Sequence, residues 1–274
     1  MTTATPAAAR RNPFLSWLND EQRSTPLDRF RIAFALIWLA YDVCDLSVHG
    51  TWTCLHPDQL LSGAQSDLVQ IQVALIVLEL GLLTGFFPFA FAFAAAYVRG
   101  VMAFEHFRLN DFLYYCMTAA LMGVAYLDAR PIFRPKFVQR WALSVMRVEL
   151  GFLYIATAIM KMNPSWLSGA HLYVRFEYLR EAFNWPYPGF VMSCVESPKC
   201  AAAHAVMGVS GEVTLGLLLI VGRTPRLALL LAIAIHAFGA LGTNVWFFGA
   251  SMIAHVAWIG SSTRVRGNDQ MLRT

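Results

Sequence analysis

Long apolar segments, separated by short charged or proline-containing turns, run through this 274-residue chain and limit what it can fold into. A helix that crosses a bilayer needs roughly 20 apolar residues at about 1.5 Å each. The apolar segments supply about eight such helices. With a mean hydropathy of +0.51 and only 14% charged residues, the chain is too apolar for an ordinary water-soluble domain. We therefore predict an all-α, multi-pass helical bundle in a membrane.

The boundaries of the predicted spans follow from charges and prolines. Asp42 and Asp45 make the outer end of the first span polar, and a Gly-Phe-Phe-Pro sequence predicts a tight hairpin between the second and third spans. Residues 163–200 predict an ordered outer loop in the headgroup region. The predicted spans are 30–48, 68–87, 88–107, 112–127, 141–162, 201–222, a seventh ending near 241, and 245–260.

The distribution of cationic residues predicts the orientation. Fourteen of the 21 Lys and Arg residues fall on one side of these spans, and cationic residues mark cytoplasmic loops. Both termini are therefore predicted to be cytoplasmic, with a tail over 1–28, a transmembrane domain over 29–262 and a basic tail over 263–274. The small formal net charge of +4 gives no support for nucleic-acid binding. The predicted surroundings are lipid, in a bacterial inner (plasma) membrane.

Ionisable side chains inside the predicted spans cost roughly 2.5–3.5 kcal/mol each, so they mark structural pairs or polar sites. Glu79 and Arg99 lie at similar depths on either side of the predicted hairpin, which predicts a structural ion pair. Glu212 and His236 are each about 12 residues from the next charged turn, which predicts a contact near mid-membrane. Such a contact suits proton transfer or ligand binding, and it equally suits helix packing alone.

Lys161 follows the apolar run 151–160 and precedes Asn163-Pro164-Ser165-Trp166, at the outer membrane boundary. Its ammonium either extends to the membrane surface or is a partly desolvated amine that can act as a base. Both interpretations are open on the residues alone.

The cysteines and histidines show no spacing typical of a metal site, so we predict none. Cys54, Cys194 and Cys200 fall in predicted outer loops, and the six-residue separation of the last two permits a disulfide without requiring one. His204 and His255 are interpreted as packing residues.

Residues 151–173, GFLYIATAIMKMNPSWLSGAHLY, resemble the signature of the horizontally transferred transmembrane (HTTM) domain superfamily. Its best-known member is the vitamin K-dependent γ-glutamyl carboxylase. The matching positions are Tyr154, Ala156, Lys161, Trp166 and Gly169. The resemblance continues over nearly the whole chain, through Phe30, Arg31, Leu109, Asn110, Asp111, Glu212, Thr224, Pro225, Arg226, His236 and Phe248.

The resemblance implies a quinol-using enzyme. In the carboxylase, the counterpart of Lys161 is regarded as the base that deprotonates reduced vitamin K, which then reacts with oxygen to yield an epoxide and a strong base. By this resemblance Lys161 is the candidate catalytic base, and reduced vitamin K or menaquinol is the candidate cofactor. The candidate cofactor-binding residues are Asn110, Glu212, His236 and Trp166. The substrate would be a peptide or a small molecule.

Three departures limit this transfer of function. Met160 stands where the carboxylase has a further lysine, Asp111 stands where it has a histidine, and its large lumenal domain has no counterpart in this sequence. Processive glutamate carboxylation is therefore not expected. A competing hypothesis is a non-catalytic membrane module that assists maturation, export or immunity of a secreted peptide. A third is a subunit that passes electrons from thiols to quinone through Cys194 and Cys200.

Overall fold

The computed structural model describes residues 21–47, 65–106, 109–129, 135–183, 187, 189–243 and 246–260, and nearly all of them are helical. Eight longer helices and three short ones follow one another along this part of the chain. The longer helices are α1 (Thr25–Ser47), α2 (Gln65–Thr84), α3 (Pro88–His106), α4 (Leu109–Leu127), α5 (Arg140–Lys161), α9 (Pro198–Val221), α10 (Pro225–Thr243) and α11 (Trp246–His255). A π-helical turn, Val256–Gly260, continues α11, so that the two together have 15 residues. The shorter helices are α6 (Pro164–Leu167), α7 (Ala170–Phe183) and α8 (Gly189–Glu196), of which α7 is the longest with 14 residues.

Each predicted span coincides with one of the longer helices, and this confirms the all-α class. Among the described residues, α5 and α9 are long and apolar enough to cross a membrane. Five shorter helical segments are also apolar, namely Gln70–Thr84, Pro88–Val101, Leu113–Leu127, Pro225–Gly239 and Phe247–Gly260. Eight crossings and cytoplasmic termini remain predictions.

The eight longer helices form a closed bundle. Each helix packs against the next one along the chain, α5 packs directly on α9, and α11 returns to pack on α1. The predicted outer loop contains α6, α7 and α8; all three contact α9, and α7 also contacts α10. This arrangement places the end of α5 beside α9 and under the three short helices.

The turn between α2 and α3 has the predicted tight form. Gly85 has a φ of 67° and Phe87 a φ of 50°, and Pro88 opens α3. Glycine tolerates a positive φ at no steric cost, and proline suits a first helical position. Gly85 and Pro88 therefore fit the hairpin, whereas Phe87 adopts its positive φ against the preference of a bulky residue.

A two-stranded antiparallel sheet was not predicted. Strand β1 (Glu21–Arg23) lies in the predicted N-terminal tail, and strand β2 (Phe137–Gln139) lies just before α5. Their pairing places the segment before α1 and the segment before α5 at the same end of the bundle, as the orientation prediction requires.

A buried charge cluster joins α1, α2 and α3. The Arg99 guanidinium donates to Asp42 at 3.0 Å and to Glu79 at 3.4 Å, and all three residues are fully buried. The guanidinium carbon of Arg99 lies 5.2 Å from the Trp38 ring centroid and 4.7 Å from the Tyr115 ring centroid, within cation–π range. The predicted ion pair between Glu79 and Arg99 is confirmed. Asp42, interpreted only as part of a polar helix end, is a second carboxylate partner of the same arginine.

Helices α5 and α9 approach closely where two glycines face each other. A Cβ on Gly216 would lie 2.6 Å from the carbonyl oxygen of Gly151, and a Cβ on Gly151 would lie 2.8 Å from that of Gly216. Small residues at such crossings let helix backbones meet and are frequent in membrane proteins. The two glycines therefore set the distance between the helices that carry Lys161 and Glu212.

Gly216→Ala is expected to destabilise the protein by about 1–3 kcal/mol, because the added methyl group overlaps a backbone atom that cannot rotate away. Gly208→Ala on the same helix is the matched control, since a Cβ there meets no atom within 4 Å. Denaturant unfolding of the two variants in identical micelles measures the difference. Equal stability of the two variants would contradict the glycine contact.

Candidate functional site

An amine–carboxylate pair lies where α5 ends beside α9. Nζ of Lys161 forms a short ion pair with Oε1 of Glu212. The hydroxyl of Thr157 lies 3.4 Å from Oε2 of Glu212 and shares its proton between that oxygen and the closer carbonyl oxygen of Tyr154, at 3.0 Å. The side chain of Glu212 is 11% exposed, whereas that of Lys161 is 29% exposed. The pair is therefore enclosed on the carboxylate side and accessible from the lysine side.

A phenol–imidazole pair lies deeper between α5 and α10. The Tyr154 hydroxyl and Nε2 of His236 are 2.6 Å apart, and both residues are buried. The Phe248 ring meets the His236 ring edge-on, with centroids 6.0 Å apart. A Cβ on Gly249 would lie 3.2 Å from that of His236. Helix α11 therefore closes the far side of the imidazole.

Each of the two pairs includes a side chain from the same face of α5. Tyr154, Thr157 and Lys161 are spaced i, i+3 and i+7, which places them in one row along a helix. The row is about 10 Å long at 1.5 Å per residue. We call these three residues together with Glu212 and His236 the polar cluster. It combines an amine, a carboxylate, a phenol and an imidazole within apolar helices.

The predicted contact between Glu212 and His236 is wrong. Among the described residues, Glu212 bonds to Lys161 and Thr157, and His236 bonds to Tyr154. Equal depth in adjacent helices did not determine which way each side chain points. Side chains of α5 reach both Glu212 on α9 and His236 on α10, so each of these residues has its partner on α5.

Trp166 covers the lysine. The Asn163 side chain caps α6 by accepting a hydrogen bond from the Trp166 backbone N–H at 3.1 Å. Nζ of Lys161 lies 5.3 Å from the Trp166 ring centroid, within cation–π range. The His171 ring stacks on the same indole at 4.5 Å. Burial, and secondarily the charge of Arg175, lowers the pKa of His171, which favours the neutral imidazole against that ring.

Gly169, the last of the five matching positions in the signature, holds α7 against α9. Its φ is 78°, and a Cβ there would lie 2.5 Å from the backbone carbon of Ala201. Only glycine satisfies both conditions. The spacing of tryptophan and glycine in the signature therefore serves two purposes, covering Lys161 and docking the start of α7.

The other predicted residues give a mixed outcome. Asn110 lies in the first turn of α4, and its side chain is outside the described part of the structure. Ala156 of the signature is exposed and contributes no polar group to the cluster. Thr157 was missed, although its i+3 spacing from Tyr154 and i−4 spacing from Lys161 was a usable signal.

The disulfide that the sequence left open is formed. Cys194 at the end of α8 is bonded to Cys200 in the first turn of α9, with Cα atoms 5.2 Å apart. With His204 these sulfurs place three possible metal-ligand atoms within 4.8 Å of one another, but two of the three belong to the disulfide. The prediction that the chain has no metal site stays a prediction.

A closed bundle of apolar helices with a partly accessible ion pair at a helix end defines a helical membrane protein with an internal polar site. The HTTM domain family matches residues 107–260, more than half of the chain, and the chain belongs to this family. All five candidate site residues lie within the matched segment. No curated protein and no solved structure matches the chain.

Proposed function

We propose that this HTTM protein uses a lipid-soluble quinol and oxygen to generate a base for chemistry on a peptide or a small molecule. The Lys161–Glu212 pair is the proposed proton-accepting group. The observation that carries this proposal is that ion pair, partly open beside Trp166 and otherwise enclosed by apolar helices.

The pairing refines the role that the resemblance implies for Lys161. A lysine ion-paired with a carboxylate is an ammonium and has no lone pair to accept a proton. The carboxylate of Glu212 is the acceptor available in the pair, and the ammonium stabilises an anion left beside it. Transfer of a proton within the pair would instead leave a neutral amine as the base. Both routes require both residues, so the pair rather than Lys161 alone is the proposed base.

The residues around the pair fit a quinol. When bound, a quinol would supply the four electrons that reduce oxygen, with one oxygen atom ending in the quinone epoxide and the other in water. Lys161 and Glu212 would hold one hydroxyl group, and Trp166 would lie against the ring. Phe152, Ile159 and Met160 are at least 60% exposed along the same helix, so the lysine lies beside an apolar surface suited to lipid.

The test is oxygen consumption and quinone-epoxide formation by purified protein in nanodiscs supplied with menaquinol or reduced vitamin K. Lys161→Ala and Glu212→Gln are each expected to lower turnover by about 100-fold or more, the range for loss of a general base. Glu177→Gln is the matched control, because it breaks a similar carboxylate contact, to Arg180 at 2.6 Å, in α7. Unfolding measurements on all variants verify that they are folded.

Lys161→Arg separates the two routes. Arginine keeps the positive charge but does not become a neutral base at accessible pH. Residual turnover in this variant indicates Glu212 as the acceptor, and complete loss indicates the amine. Wild-type protein that turns over no quinol, or folded Glu212→Gln protein with unchanged turnover, would contradict the proposal. The buried charges would then only join helices, as in the hypothesis of a non-catalytic membrane module.

A further inference from the structure

The Cys194–Cys200 disulfide borders an apolar pocket that the polar cluster does not use. The pocket has a cavity volume of about 60 Å³, and Cys194 and His204 belong to its lining. The other lining side chains are apolar and include Phe176, Phe190 and Phe238. Both cysteines are partly exposed rather than buried in the core. One sulfur of the disulfide is therefore accessible from a pocket that favours an uncharged, apolar group.

His204 is oriented toward both sulfurs. Its Nδ1 lies 3.1 Å from the carbonyl oxygen of Cys200, and because a carbonyl only accepts, Nδ1 carries the proton. The same nitrogen lies 3.1 Å from Sγ of Cys194 and 3.7 Å from Sγ of Cys200. The imidazole stacks on Phe238 at 5.1 Å, which holds its plane. A thiolate on either sulfur would therefore share this N–H with the carbonyl oxygen of Cys200.

Cys200 has a second source of thiolate stabilisation. It is the third residue of α9, which follows Ser197 at the N-cap position and opens with Pro198. Unpaired backbone N–H groups and the helix dipole at such an end stabilise negative charge. Cys194, at the end of α8, lacks this environment but borders the pocket. Sγ of Cys194 is therefore the sulfur that a substrate thiolate can attack from the pocket, and Sγ of Cys200 is the better leaving group.

We propose that Cys194–Cys200 is a thiol–disulfide exchange site for dithiols attached to apolar groups, such as a peptide that has two cysteines among apolar side chains. The substrate thiolate, whose proton goes to solvent, attacks Sγ of Cys194 from the pocket. A substrate–Cys194 disulfide forms, the Cys194–Cys200 bond breaks, and its electron pair goes to Sγ of Cys200 beside His204. A second substrate thiolate then attacks the substrate sulfur and releases Cys194 as a thiolate. The substrate is oxidised by two electrons, and the protein disulfide is reduced.

The test compares reduction of this disulfide by benzyl mercaptan and by glutathione, at equal thiolate concentrations, in full-length protein in nanodiscs. A Cys116→Ser background removes the free cysteine at that position. Maleimide labelling and peptide mapping then follow each remaining cysteine. Cys44, which is also disulfide-bonded, provides an internal comparison within the same molecule.

We expect Cys194 and Cys200 to be reduced at least about tenfold faster than Cys44, and benzyl mercaptan to react at least about tenfold faster than glutathione. His204→Phe keeps the aromatic contact with Phe238, removes the N–H and should slow reduction about tenfold. In Cys200→Ser protein, activated benzyl disulfide should label Cys194.

Three results would overturn the proposal. Reduction of Cys194 and Cys200 no faster than that of Cys44 would identify the bond as structural. If the disulfide of the His204→Phe protein is reduced as fast as that of the wild type, His204 does not stabilise the thiolate. Equal rates with benzyl mercaptan and glutathione would show that the site does not prefer apolar thiols.

Discussion

Arg99→Ala is expected to lower the free energy of unfolding by about 3–5 kcal/mol, the largest stability effect that the structure predicts. The substitution leaves the carboxylates of Asp42 and Glu79 fully buried without their shared cation. It also removes the guanidinium from the rings of Trp38 and Tyr115. Removing one member of a buried ion pair costs more than the pair contributes, because the remaining charge stays desolvated. Denaturant unfolding in detergent micelles, followed by helical circular dichroism, measures the loss.

Two further proteins test this explanation. Arg180→Ala breaks a surface pair whose arginine side chain is 42% exposed, so we expect a change of less than about 1 kcal/mol. Combining Arg99→Met with Asp42→Asn and Glu79→Gln removes the charge together with its partners and should recover much of the stability. If Arg99→Ala alone unfolds within about 1 kcal/mol of wild type, the cluster does not stabilise the bundle as the structure implies.

Gly169→Val is expected to destabilise the protein by about 3 kcal/mol or more, and to release α7 from α9. A left-handed backbone alone costs an ordinary residue about 1–2 kcal/mol, and a β-branched side chain tolerates it poorly. The 2.5 Å approach to the backbone of Ala201 adds an overlap that no rotamer relieves. Thermal unfolding gives the stability, and the rate of proteolysis within residues 170–183 reports on the docking of α7.

Gly189→Val is the matched control for this prediction. Gly189 opens α8 on the same side of the bundle, and a Cβ there meets no atom within 4 Å. We expect its stability to change by less than about 1 kcal/mol, the scale of helix propensity. A Gly169→Val protein that resists proteolysis as well as this control would show that Gly169 does not hold α7.

Much of the candidate site was predictable, because its signals are short-range. The run from Tyr154 to Gly169 carries the amine, the tryptophan and the docking glycine at set spacings. The structure brings Lys161 and Trp166 within cation–π distance. Glu212 and His236 were also singled out correctly as buried ionisable residues, since their cost in lipid is visible in any apolar segment.

Their partners were not predictable from depth. Spacing along the chain determines how far a residue lies from a turn, but the rotation of each helix about its axis depends on packing with its neighbours. Glu212 therefore bonds to Lys161 on α5, and Asp42 joins Arg99 from α1. Neither contact joins residues of one hairpin or of one helix.

The sequence by itself determined the helical class, the positions of the eight longer helices and the hairpin before Pro88, because apolar length and local backbone preferences govern these features. Only the tertiary structure decided which polar groups meet. The facing glycines, Gly151 and Gly216, allow α5 to approach α9, and that approach assembles the polar cluster from side chains about 50 to 80 residues apart. The pairing of charges in an apolar bundle is thus a consequence of how closely and at what rotation the helices pack.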